Sequence, residues 1–144
     1  MASTLSTRLL LTLLLVGLVT PAQAADQWVL WRKTSEFGNR TVTSKPATIG
    51  LHESKDTCLI AAKQTVIDIR EGYIRIATMS AKSMGGQLLG NTFVDTGERS
   101  EPGLLKNGQG YVATFRKPAS TKGELVDTSY FFFGECWPVG VTPQ

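Results

Sequence analysis

Hydrophobic and polar positions divide this chain into one solid apolar block, one stretch of helical period and several of strand period. The block covers residues 9–19, broken only by Thr12 and Gly17. Residues 54–71 carry the helical signal. Cys58, Ala62, Val66 and Ile69 recur every four, four and three positions and fall on one face, with Leu59 and Ile67 widening the stripe. Ser54 is placed to cap this helix, and Asp56 lies in the first turn, where the helix dipole favours an anion. Gly72 follows as a left-handed stop.

Period two marks the strands. Residues 27–33 place Trp28, Leu30 and Arg32 on one side and Val29, Trp31 and Lys33 on the other. Residues 41–43 are β-prone, an edge strand or simply loop. Residues 73–79 alternate and predict a strand packed on the helix; 91–95 suggest a short one. Residues 110–116 set Tyr111, Ala113 and Phe115 on one face, after the turn signal Asn107-Gly108. Residues 125–137 are apolar on both faces: Tyr130, Phe132 and Cys136 share one parity, and Phe131, Phe133 and Trp137 the other. A strand buried on both sides is usually central in its sheet. The expected fold class is α+β: an antiparallel sheet of four to five strands, order β-α-β-β-β-β, with one main helix packed on it.

The apolar block changes the picture of where the chain works. Arg8 precedes it, and Pro21 with Ala22-Gln23-Ala24 follows, completing an A-x-A cleavage site. Residues 1–24 therefore read as a secretory signal peptide, cut before Ala25. The apolar run is about half the roughly 20 residues that cross a bilayer, and no basic stop-transfer cluster follows it. Cleavage leaves residues 25–144 as a single small domain, with a periplasmic or extracellular address. It removes Arg8 and leaves 14 Lys+Arg against 12 Asp+Glu. These charges are scattered, which argues for an ordinary solvated surface and against nucleic acid as a partner.

Export decides what Cys58 and Cys136 are for. They are the only two cysteines, so an oxidising compartment allows one pairing. That bridge joins the helix's first turn to the last strand and closes a 79-residue loop. In the chain-entropy model such a closure contributes about 4.5 kcal/mol. It also fixes faces: the Cys136 side of the last strand is the side the helix covers. Phe131, Phe133 and Trp137 then need cover from a loop, from Trp28 or Trp31, or from a partner.

Catalytic chemistry is thin. Only His52 is available as a general base, in a stretch that reads as loop beside Glu53, and both cysteines are committed. A nuclease-like pairing of His52 with Glu53, Lys63 or Arg70 has no support from spacing. No pattern points to a metal or a cofactor. The remaining candidates are the aromatics Trp28, Trp31, Phe131, Phe133 and Trp137, as a partner-binding face or as core.

The motif Trp28-Val29-Leu30-Trp31, the helix cysteine, and the ending Phe132-Phe133-Gly134-Glu135-Cys136-Trp137-Pro138 together resemble small exported bacterial proteins of uncharacterised function. The resemblance covers the two ends and one cysteine, leaves 80–120 aside, and lends no functional residue. The expected function is a non-enzymatic binding or structural module of the cell envelope, its partner an envelope protein or cell-wall component. A periplasmic inhibitor of lysozyme-type hydrolases and a weak nuclease using His52 are the alternatives.

Overall fold

The computed structural model describes residues 27–83, 97–117 and 127–144, with the side chains of 80–83 left aside. The signal peptide, the 91–95 strand and residues 125–126 of the last strand lie outside the described residues. Seven strands form one antiparallel sheet: β1 (Trp28–Phe37), β2 (Thr41–Thr43), β3 (Ala47–His52), β4 (Glu98–Arg99), β5 (Gly103–Leu104), β6 (Gly110–Lys117) and β7 (Thr128–Pro138). The main path runs β2-β1-β7-β6-β4, while β3 also pairs with β1 and β5 with β6. One helix, α1 (Lys55–Ser83), packs on the sheet. The α+β class holds, with more strands than the four to five expected.

The last strand is central, as its two apolar faces require. β7 pairs with β1 along ten residues, from Trp28 opposite Pro138 to Phe37 opposite Ser129, and with β6 on its other side. The beginning and end of the described chain are thus neighbours in the middle of the sheet.

The helix starts where the capping signal puts it. Ser54 Oγ accepts from the Thr57 N–H at 3.2 Å, and Thr57 Oγ1 accepts from the Ser54 N–H at 3.3 Å. This is a capping box with Thr in the usual Glu or Gln position. The helix does not stop at Gly72. It runs on to Ser83, so the strand expected over 73–79 is helix, and no strand follows α1 before β4 among the described residues. The buried stripe explains the correction. Cys58, Ala62, Val66, Arg70 and Ile74 are all buried at four-residue spacing, straight across Gly72. Among the described residues the left-handed glycines are Gly108 and Gly140, and Gly72 is not one of them. Tyr73–Met79 satisfies both periods, and packing of Ile74 against Phe115 and Phe132 selects the helical one.

Two clusters fill the interface. Leu30, Cys58, Ala62 and Cys136 form one, with Trp28, Leu59 and Tyr111 against it. Ile74, Phe115 and Phe132 form the other, with Ile69, Tyr73 and Tyr130. Cys58 and Cys136 are bonded, their Cα atoms 5.9 Å apart. The Cys136 side of β7 is therefore the helix side, as expected.

Arg70 is the one cation in the helix stripe, 7 % exposed. Its guanidinium donates to Glu71 Oε1 at 2.9 Å and to the Ser100 carbonyl. Arg99 of β4 reaches the same Glu71 carboxylate at 3.1 Å. Partial burial pushes the Glu71 carboxyl up, but the hydrogen bonds and charges of Arg99 and Arg70 outweigh it and hold the group below the usual carboxylate range. This cluster ties the β4 edge to the helix. No helix of the described residues is long and apolar enough to cross a membrane.

Candidate functional site

Among the described residues, α1 packs on one face of the sheet and the aromatic row of β7 lies on the other. Pairing sets the composition of that second face. Trp31 lies opposite Glu135, Lys33 opposite Phe133, and Ser35 opposite Phe131; from β6, Val112 and Thr114 complete the same rows. Phe131, Phe133, Trp137 and Trp31 are each half-buried, and Phe37 is 45 % exposed.

The rings are ordered against each other. Phe37 meets Phe131 edge to face, centroids 5.3 Å apart, and Phe131 and Phe133 lie nearly parallel at 6.4 Å. Lys33 Nζ sits 5.4 Å from the Phe133 centroid. The Phe133 ring holds the cation by its negative face, and the three rings make an apolar strip with a charged margin.

A buried carboxylate anchors the other end of the row. Glu135 is 8 % exposed. Trp137 Nε1 donates to its Oε2 at 3.0 Å, and Lys33 Nζ stands 3.7 Å from its Oε1. Lys33 also donates to the main-chain oxygen of Gln144 at 3.1 Å, and Pro143 is buried. The C-terminal residues thus fold back toward Lys33, and Phe37 at the far end of the row is exposed. Trp31 Nε1 is buried with no acceptor among the described residues.

The five aromatic candidates separate by strand parity. Trp31, Phe131, Phe133 and Trp137 come together on the open face. Trp28 belongs to the other side, packed against the Leu30–Cys58–Ala62–Cys136 cluster with Lys55 Nζ 5.5 Å from its ring. Trp28 therefore covers none of the aromatic face. Phe37 and Lys33 were missed as site residues. Both share Trp31's parity, and the signal for Phe37 was available once β1 is carried past residue 33.

His52 is not in a loop: it ends β3, opposite Trp28. Arg70, one of its suggested helpers, is engaged with Glu71 and Ser100. Among the described residues, no group of three or more His, Cys, Asp or Glu side chains could hold a metal ion. Among the described residues, this face offers rings, the Lys33 ammonium paired with the Glu135 carboxylate, and the Arg116 guanidinium bonded to Asp127, a surface suited to binding by desolvation. No protein family, curated protein or solved structure matches the chain.

Proposed function

We propose that this protein is an exported, non-enzymatic binding module of the cell envelope, and that the open sheet face is its recognition surface. The observation that carries the reading is the asymmetry of the sheet. One face carries α1, while the other carries Phe131, Phe133, Trp137 and Trp31, each partly buried, beside an exposed Phe37. Aromatic side chains at the centre of a polar margin are the usual anchors of protein interfaces. The signal-peptide pattern over 1–24 and the Cys58–Cys136 disulfide support an oxidising compartment outside the cytosol.

The test is saturable capture from envelope extract at physiological salt, with wild type and Phe37→Ser compared. Phe37 is exposed, so its loss leaves the fold in place. Wild-type capture weakened at least about tenfold in the variant supports the reading, since a hot-spot truncation costs about 2 kcal/mol or more. Equal capture by both proteins, or none at all, counts against it. A panel of lysozyme-type hydrolases run alongside asks whether the bound partner is an enzyme.

A further inference from the structure

The helix-covered face also contains an open region, and it is chemically unlike the aromatic row. α1 packs mainly on β7 and β6 and less on β1 and β3. Between the helix side chains Ile69 and Tyr73 and the segment around Val42, Ser44 and Lys45 runs a trough, with Arg32, Thr34 and Glu36 of β1 in its lining.

The trough has two compartments. One, of about 270 Å³, is bordered by Arg32 and Lys45 with Ala47 and Ile69. The other, of about 150 Å³, is bordered by Tyr73, Tyr130, Phe132 and Val42 together with Ser35 and Glu36. Thr34 and Ser44 line both. Their shared wall is fixed by a reciprocal clip: the Thr34 N–H donates to Ser44 Oγ, and the Ser44 N–H to the Thr34 carbonyl, each at 2.9 Å. The two compartments adjoin along Thr34 and Ser44, one bordered by cations and the other by rings.

The rings at the aromatic end are closely set. Tyr73 lies 5.0 Å from Tyr130 and 5.7 Å from Phe132, centroid to centroid. A volume of about 150 Å³ is large enough for one benzene ring, and here the rings and Val42 face Thr34, Ser35, Glu36 and Ser44 across it. At the cationic end, a guanidinium presents paired donors that match a carboxylate or phosphate. Lys33 also borders this end, but its ammonium is committed to Glu135 and Gln144 on the opposite face. Glu36 repels a second anion at the aromatic end, so one charge at one end is the favoured pattern.

We infer that this trough binds a small aryl anion, a single aromatic ring carrying one carboxylate or phosphate. The ring enters between Tyr73 and Val42, and the anion lies between Arg32 and Lys45. This site is on the opposite side of the sheet from the Phe37–Phe131–Phe133 row, and the inference stands independently of the partner reading.

The probes are phenylacetate and phenyl phosphate, with benzyl alcohol and inorganic phosphate as the two halves of the chemistry. Binding is followed by amide chemical shifts of the oxidised protein. At least one aryl anion should shift Thr34 and Ser44 saturably and bind at least about tenfold tighter than benzyl alcohol and inorganic phosphate, because a charge-assisted pair alone contributes about that factor. Which of the two binds tells carboxylate from phosphate. Arg32→Ala, at an exposed position, should weaken binding by a similar factor, and Val42→Trp should block the ring. No saturable shift with either aryl anion overturns the inference. So does equal binding of phenyl phosphate and inorganic phosphate without phenylacetate binding, or an Arg32→Ala protein that binds as wild type does.

Discussion

Gly134 lies directly beneath Ala62. A Cβ on Gly134 would stand 3.0 Å from the Ala62 carbonyl oxygen and 3.2 Å from Val66 Cγ1. The missing side chain lets α1 settle onto the middle of β7, between Phe132 and Cys136. That close approach brings the first turn of α1 to Cys136, where Cys58 is bonded to it.

A side chain at Gly134 should therefore push the helix off the sheet. Gly134→Val is expected to cost about 1–3 kcal/mol by overpacking, read as a lower urea midpoint. The same change at Gly103, where nothing lies within 4 Å of the added Cβ, should cost less.

Gly72 tests the continuous helix. It sits mid-helix, and an added Cβ meets nothing within 4 Å. Gly72→Ala should then stabilise the protein by roughly 0.5–1 kcal/mol, the helix-propensity difference. A left-handed stop at this position would give a loss instead. Thermal unfolding of the two proteins decides between them.

The miss at Gly72 shows where sequence reading ran out. Glycine after a helical stretch is a good stop signal, and Tyr73, Ile74, Arg75 and Ile76 are as consistent with a strand as with a helix. What separated the two was tertiary: Ile74 extends the Cys58–Ala62–Val66–Arg70 stripe and packs on Phe115 and Phe132. Arg70 hid that continuity, because a buried cation interrupts an apolar count. β3 was unread for a related reason: Ile49 and Leu51 are exposed, so its pattern does not follow burial. By contrast, the central β7, the disulfide and the helix-facing parity of Cys136 were legible, since strand parity and one possible cysteine pairing leave few choices. The same parity rule extended through Phe37 would have completed the open face.

The Glu71 cluster predicts a small pH-dependent term. Its folded carboxyl titrates below the usual range, so its contribution to stability is present above the unfolded value and is lost as pH falls through the folded one. The side chain is 42 % exposed, so solvent screening limits the contribution to below about 1 kcal/mol. Glu71→Gln should lower stability by that amount at pH 7. Denaturant titrations repeated at acid pH should show the gap to wild type closing once Glu71 itself is protonated.

The disulfide ties the first turn of α1 to β7 across 78 positions. Its removal by paired Cys58→Ala and Cys136→Ala should lower stability by roughly 2–5 kcal/mol. Equilibrium unfolding of the double variant beside the oxidised wild type measures this directly, and a loss below about 1 kcal/mol would mean the helix is held by packing alone.

The open sheet face is tested most directly by site-specific photocrosslinking in producing cells. A photoreactive phenylalanine analogue is placed at Phe37, on the aromatic row, and in a second protein at Ile60, 73 % exposed on the helix. A discrete adduct with an envelope component from position 37 and none from position 60 is the expected result. No adduct at 37, the same adduct from both positions, or an adduct only with a second copy of this chain would rule out the aromatic row as the surface that recognises an envelope partner.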